Sequence, residues 1–297
     1  MAVPLFDTKV QNNGLAGELQ ATFARVLASG QFILGPEVTN FERQCAAYLR
    51  VRHALGVSSG TDAILLALMA LGIGPGDEVI CPSFTFFATA GCVARVGAKP
   101  VFCDVRADTF NLDVGDAARR ITPRTKAIVP VHLYGQAAEL ESVNVLARQH
   151  GIKVIEDAAQ AVGARQGGQP VGGFGDFGAF SFFPTKNLGA FGDAGLLTTN
   201  DDALAERATL LRNHGAHPKY YHQFVGGNFR LDALQAALLA VKLPLLDGYA
   251  QRRAANAARY TAQFSKLSGV GTKVILPFAQ PGNHHTWNQY TLRLPGA

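Results

Sequence analysis

The sequence predicts an α/β fold, a layered domain built around a parallel sheet, followed by the start of a smaller domain. Three observations carry this. Candidate strands and helices alternate along the chain as far as Asp157. The strands are short, β-branched and apolar without polar alternation, the pattern of parallel strands covered on both faces. At 297 residues and 48% hydrophobic, the chain can bury one large core and a smaller one beside it.

The elements follow in order. Leu15–Ser29 carries apolar residues at Leu15, Leu19, Phe23, Val26 and Leu27, a helical stripe. Val38–Leu49 is a second amphipathic helix. Strand and helix then alternate: strand His53–Val57, helix Thr61–Leu71; strand Glu78–Pro82, helix Thr85–Val96; strand Pro100–Val105, short helix Val114–Ile121; strand Lys126–Val131, helix Glu139–His150; strand Lys153–Glu156. After Asp157 the pattern changes. The glycine-rich stretch 163–175 reads as a hairpin region, and Ala179–Phe183 and Gly195–Thr199 read as strands around a loop. A helix follows at Asp202–Arg212. The helical stretch Leu231–Leu267 should break or kink at Pro244. Lys273–Leu276 and Tyr290–Leu294 are strand-like. No internal repeat or low-complexity tract interrupts the order.

Composition narrows the function. Charged residues make up 16% of the chain and the net charge is +5, but lysines and arginines are scattered, so no nucleic-acid stripe is indicated. A modest positive excess suits a small anionic substrate. The four cysteines form no Cys-x-x-Cys pair and read as small buried hydrophobes in a reducing compartment. The N-terminus has no basic head with an apolar signal core, and no apolar run is long enough to span a bilayer; the expected location is the cytoplasm.

Lys186 is the centre of the chemical reading. It is a lone cation in Ser181-Phe182-Phe183-Pro184-Thr185-Lys186-Asn187-Leu188-Gly189. Desolvation disfavours the ammonium form, and a neutral lysine amine attacks carbonyl groups to form Schiff bases. Taken alone, it reads first as a loop lysine reaching water past its apolar stem. Four further features bear on it. Ser58-Ser59-Gly60-Thr61-Asp62 joins a strand to a helix, where free amides and the helix dipole can hold a phosphate, or where Ser59 or Thr61 simply caps the helix. Glu156-Asp157-Ala158-Ala159-Gln160 follows a strand, where ligands gather in open α/β sheets; Asp157 could pair with a protonated ring nitrogen or cap a helix. Gly189, Gly192 and Gly195 let backbone pass near a flat molecule, or serve turns. Pro82-Ser83-Phe84-Thr85-Phe86-Phe87 places aromatics at a strand end, to stack on a ring or to fill the core. A phosphorylated heterocyclic aldehyde satisfies all of these at once, and pyridoxal phosphate is that molecule.

Other motifs fail. Gly173-Phe174-Gly175-Asp176-Phe177-Gly178 matches G-x-G-x-x-G, but a strand-like segment follows it rather than a helix. His284-His285 has no further ligand at useful spacing, so no metal site is expected.

In the family's order, the chain carries Ser59-Gly60-Thr61-Asp62-Ala63, Gly76-Asp77-Glu78-Val79-Ile80, Pro82–Phe86, Val131-His132-Leu133-Tyr134-Gly135, Glu156–Gln160, Ser181–Lys186, Arg212-Asn213-His214-Gly215 and Asn228-Phe229-Arg230-Leu231-Asp232. From Pro4 to its end it resembles the DegT/DnrJ/StrS family of nucleotide-sugar aminotransferases. That resemblance implies a three-layer α/β/α large domain with a mostly parallel sheet, the pyridoxal-phosphate-dependent transferase fold type I, over residues 1–247 with an N-terminal arm. Residues 248–297 would begin a small C-terminal α+β domain. Family members usually continue past the segment matching Asn283–Leu294, so that domain is expected to be incomplete here and closure of the site to suffer.

The resemblance also implies roles. Lys186 would form the Schiff base with the cofactor and later carry the proton between substrate and cofactor. Asp157 would pair with the ring nitrogen, and Gln160 would lie near the ring's phenolic oxygen. Gly60, Thr61 and Ser181 would hold the phosphate, and Phe86 would stack on the ring. Asn228 or Arg230 would cross from a second subunit to the phosphate region of a homodimer. Tyr134, His214 and the loop His217-Pro218-Lys219-Tyr220-Tyr221-His222 are candidates for substrate contact, or form an adaptable surface loop. The implied reaction is ping-pong transfer of an amino group, with glutamate as donor, to a nucleotide-diphosphate keto-sugar, at sugar C3 rather than C4. Dehydratases of the family carry histidine in place of the lysine, which Lys186 argues against. The alternative is a regulatory or inactive relative that binds the cofactor without turnover.

Overall fold

The computed structural model describes residues 7–218, 220–267 and 269–296; the expected N-terminal arm lies partly outside them. Among the described residues the elements run α1 (Lys9–Asn13), α2 (Ala16–Ser29), α3 (Pro36–Leu49), β1 (His53–Val57), α4 (Gly60–Ala70), β2 (Glu78–Pro82), α5 (Ala88–Arg95), β3 (Lys99–Cys103), α6 (Val114–Arg119), β4 (Thr125–Ile128), α7 (Leu140–His150), β5 (Lys153–Asp157), β6 (Arg165–Gln166), β7 (Gln169–Pro170), β8 (Phe177–Ser181), β9 (Gly195–Thr199), α8 (Asp202–Arg212), α9 (Ala233–Lys242), α10 (Leu246–Phe264) and β10 (Asn283–His284).

Seven strands form the main sheet in the order β1-β9-β8-β5-β4-β2-β3. β9 is antiparallel to both its neighbours, and every other pairing is parallel. Strand residues alternate between two faces. Val79, Cys81, Ala127, Ile155 and Phe177 face the core under α4, α5 and α8. Ile80, Ile128 and Val154 face α6 and α7, and Phe180 packs with α3 and α9 on that same side. This is the expected three-layer α/β/α arrangement, and because both faces are covered the strands read as unbroken apolar runs.

The helix starts follow from side-chain capping. Ser59 Oγ accepts from the Asp62 amide (3.0 Å), and Asp113 and Asp201 do the same for α6 and α8. Gly30 and Gly151 end α2 and α7 in the left-handed conformation, at φ 64° and 65°.

The expected break at Pro244 is present: the residue lies in a 3-10 turn, Leu243–Leu245, between α9 and α10, where its missing N–H is tolerated because an α-helix restarts. The expected division at 247/248 lies in the first turn of α10. Other boundaries differ from expectation. Lys273–Leu276 and Tyr290–Leu294 do not form strands; a single antiparallel bridge, Ile275 to Arg293, is all that joins them. The β6–β7 hairpin instead pairs with β10 in a three-stranded sheet. Ala233–Phe264 is, by length and composition, apolar enough to cross a membrane, contrary to the sequence reading; more than half of its apolar window (56%) is buried, and Ala236, Leu239 and Leu243 belong to the core. No helix follows Asp157, so capping is not its role.

Candidate active site

The parallel strands deliver their carboxyl ends to one edge of the sheet, and a cavity of about 440 Å³ opens there. Gly60, Thr61, Phe86, Asp157, Gln160, Ser181 and Lys186 all line it. They come from segments far apart in the chain: the entry to α4, the turn before α5, the end of β5 and the segment after it, and the end of β8 with its following loop.

Gly60 and Thr61 open α4, so their amides have no intrahelical acceptor and face the cavity mouth. The backbone is packed tightly here. A Cβ on Gly60 would stand 2.7 Å from Ser181 Cβ, and one on Gly195 would stand 2.4 Å from the Ser59 carbonyl carbon. Glycine at both positions lets β8, β9 and the α4 N-terminus close up into a cradle of amides and hydroxyls. Ser181 Oγ accepts from the Phe183 amide (3.3 Å), which leaves its own proton available.

Asp157 is buried at 5% exposure, with no cationic side chain in ion-pair contact among the described residues. Burial pushes its carboxyl above the usual range; the Thr89 hydroxyl on Oδ2 (2.8 Å) and the Ala159 amide on Oδ1 (3.2 Å) act against that. Burial likewise pulls Lys186 below the usual lysine range, with the negative field of Asp157 opposing. A half-buried amine with reduced proton affinity and a buried carboxylate thus share one cavity.

Gln160 is held by its neighbour: the Tyr134 amide donates to Gln160 Oε1 at 2.7 Å. Tyr134 reaches that position at φ 59°, the left-handed region that a non-glycine residue occupies at a cost. Its ring meets Phe110 edge-on (5.7 Å) in a row that continues to Phe84, outside the Lys186 cavity. Phe86 is 72% exposed on the cavity rim, so it is not a core aromatic. The loop bearing Lys186 is tied down by α9: Gln235 Oε1 accepts from the Phe191 amide (2.8 Å), and buried Lys242 donates to the Gly189 carbonyl (2.5 Å).

The remaining candidates lie elsewhere. Asn228 and Arg230 line a neighbouring cavity of about 390 Å³ with Ser58, Gly192 and Asp232; Asp193 borders both cavities. Arg230 donates to Asn213 Oδ1 (2.6 Å). His214 is exposed at φ 60°, its carbonyl bonded to His222 Nδ1 (2.9 Å), and lines neither cavity. Lys219 lies outside the described residues. Sequence reasoning missed Ser59, Thr85 and Asp193 as lining residues and Thr89 behind them. Thr85 stood in a motif already singled out; Thr89 carried no signal until the fold set it against Asp157.

Pyridoxal phosphate passes the test these residues set. Its anionic phosphate suits the amide-and-hydroxyl cradle at α4, its ring cation suits a buried carboxylate that has no cation of its own, and its aldehyde suits the Lys186 amine.

Comparisons with known proteins agree with the geometry. The model of the DegT/DnrJ/EryC1/StrS aminotransferase family matches residues 14–297. A Geobacillus stearothermophilus protein named a pleiotropic regulatory protein is 50% identical over 295 residues, covering 99% of this chain and 79% of its own. The dTDP-3-amino-3,4,6-trideoxy-alpha-D-glucose transaminase of Streptomyces venezuelae is 47% identical over 291 residues, covering 98% of this chain and 76% of its own. Among solved structures, S. venezuelae DesV in complex with a ketimine intermediate superposes with a TM-score of 0.95 at 46% identity, covering 99% of this chain and 78% of that one.

Proposed function

We propose, for a chain that belongs to the DegT/DnrJ/EryC1/StrS aminotransferase family, that it binds pyridoxal phosphate and transfers an amino group from L-glutamate to a keto-sugar on a nucleoside diphosphate. The observation that carries this is the shared cavity of Lys186 and Asp157, with the α4 cradle at its mouth.

The cofactor, when bound, supplies an aldehyde for the amine and a protonated ring that accepts an electron pair from the substrate carbon. The rest falls to the chain. Lys186, with a lowered proton affinity and no hydrogen bond or ion pair on Nζ among the described residues, is the nucleophile; once released it moves the proton at the substrate carbon. Asp157 would hold the proton on the ring nitrogen. The amides of Gly60 and Thr61 and the Ser181 hydroxyl would hold the phosphate, and Gln160 and Phe86 would hold the ring. The same groups serve both half-reactions, so kinetics are ping-pong.

The S. venezuelae relative is named for a 3-amino product, which favours sugar C3. We read Tyr134, whose amide holds Gln160, and His214 as the candidate substrate contacts, although neither lines the Lys186 cavity. Exposed Phe84, Phe86 and Phe87 beside the cavity, and Asn228 and Arg230 next door, support a homodimer that shares its sites. In this reading residues 1–247 bind the cofactor, and 248–297 belong to a smaller domain that closes over it. Four free, buried cysteines suit the cytoplasm.

The test is direct. Purified protein given pyridoxal phosphate should colour, trap it at Lys186 on borohydride reduction, change colour with glutamate, and aminate one member of a panel of nucleotide keto-sugars. No adduct at Lys186 would defeat the reading. The regulatory name of the 50% identical relative supports a second reading; cofactor binding with no glutamate turnover would favour it.

A further inference from the structure

Behind Asp157 lies a pair of hydroxyls with no part in the chemistry above. Thr89, in the first turn of α5, is fully buried, and its Oγ1 stands 2.8 Å from Asp157 Oδ2. Thr85, on the cavity wall, places its own Oγ1 2.9 Å from that of Thr89. An ionised carboxylate only accepts, so Thr89 gives its single proton to Asp157 and must accept from Thr85. The direction of the chain is therefore fixed: Thr85 to Thr89 to Asp157.

This arrangement is a choice against a local alternative. A threonine in the first turn of a helix commonly turns its hydroxyl to nearby backbone. Thr89 instead reaches across from α5 to β5, so the bond fixes one element against another. The Ala159 amide takes Oδ1 at 3.2 Å. Each carboxylate oxygen thus has one donor and keeps a lone pair for the cavity.

We propose that Thr89, oriented by Thr85, is a positioning residue that keeps Asp157 charged and aimed into the cavity, and so sets how firmly the site holds a protonated ring nitrogen. The inference rests on the pyridoxal-phosphate reading. Without the hydroxyl, Asp157 would keep a single donor in a buried setting that favours its neutral form. A neutral acid can share a proton with a ring nitrogen, but it supplies no charge to hold a ring cation. Two hydroxyls in line polarise one another, so losing the outer one should weaken the inner bond.

The test uses Thr89→Val, which keeps the shape and removes the hydroxyl, Thr89→Ser, which keeps the hydroxyl, and Thr85→Val. The readouts are the pyridoxal-phosphate dissociation constant by equilibrium dialysis, and kcat and KM with glutamate. Thr89→Val should weaken cofactor binding about tenfold and lower kcat about tenfold with KM unchanged, the scale of a lost hydrogen bond to a charged group. Thr85→Val should lose about threefold in affinity, and Thr89→Ser should stay within about threefold of the parent. A Thr89→Val protein equal to the parent overturns the proposal, as does a Thr89→Ser protein as weak as Thr89→Val, which would make methyl packing the cause. Should Thr89→Val fail to fold, an unchanged affinity in Thr85→Val overturns it. A parent that binds no pyridoxal phosphate removes the reading beneath; a parent that binds, beside an equal Thr89→Val, removes this inference alone.

Discussion

His132 Nε2 lies 3.0 Å from Glu156 Oε2, and both side chains are fully buried. The Ala138 amide donates to His132 Nδ1 (3.1 Å), so the ring proton is on Nε2 and is given to Glu156. Glu156 also accepts from the amides of Gly172 (2.7 Å), Phe174 (2.8 Å) and Gly175 (2.8 Å). Four N–H donors on one carboxylate pin the end of β5. The next residue, on the opposite face of the strand, is Asp157.

Glu156→Gln therefore breaks more than one bond. Its amide nitrogen must face an N–H donor somewhere in the cage around this fully buried side chain. The expected cost is about 3 kcal/mol, in the range for breaking a buried charged contact, read as a lower urea midpoint.

Lys186→Ala should lose the borohydride-trapped adduct and the visible colour of the bound cofactor. Activity should fall by about 10³-fold or more, because both nucleophile and proton carrier are gone. Mass mapping of the reduced protein checks it, and an adduct persisting in the variant would move the Schiff base elsewhere.

Asp157→Asn keeps the shape of the side chain and removes its charge. Turnover is expected to fall by about 10²- to 10³-fold, the scale for losing one fixed electrostatic group from a site. Single-turnover rates with glutamate measure it; a rate equal to the parent's would mean that the ring nitrogen needs no charged partner.

Gly60→Ala places a methyl 2.7 Å from Ser181 Cβ, with α4 on one side and β8 on the other. Neither neighbour is the end of a flexible side chain, so backbone must shift, at about 1–3 kcal/mol. The cradle widens, and affinity for pyridoxal phosphate should drop about tenfold while the fold is retained, as dialysis and circular dichroism together would show.

Acid also acts at the opposite end of the sheet from the cavity. Glu78 accepts from Thr122 Oγ1 (2.6 Å), Arg124 (2.9 Å) and Lys99 (3.2 Å), and the Thr122 and Arg124 bonds are the main reason its carboxyl is held down at about 2. A depressed carboxylate stabilises above its unfolded value, 4.5, and that contribution drains away as pH falls towards about 2. Glu78→Gln should flatten the stability-versus-pH curve across that window; an unchanged slope would show that Glu78 is not its source.

Much of the candidate site could be read from short motifs, because several of the cavity-lining residues sit where a strand ends or a helix begins, and such ends carry local marks. Gly60 before a helix, Asp157 after a strand and Lys186 in a glycine-bearing loop are of this kind. Thr89 is different. Its helix looks ordinary in sequence, and nothing local says that this hydroxyl rather than another faces β5. Asn228 and Arg230 matched a motif, yet only the folded chain shows that they border a separate cavity, with Asp193 lining both.

The sequence by itself determined the elements whose signals are local. The strands His53–Val57, Glu78–Pro82 and Gly195–Thr199 and the helix Asp202–Arg212 stand at the expected residues, because apolar runs, caps and turn residues act within a few positions of each other. Tertiary structure decided what depends on partners distant in the chain: β9 running antiparallel between β1 and β8, Lys273–Leu276 and Tyr290–Leu294 left with one bridge instead of strands, and Thr89 placed on Asp157. A β-strand lacks hydrogen bonds of its own, so strand propensity becomes a strand only where a neighbour offers its edge; a buried hydroxyl likewise takes its role from whatever the fold sets opposite it.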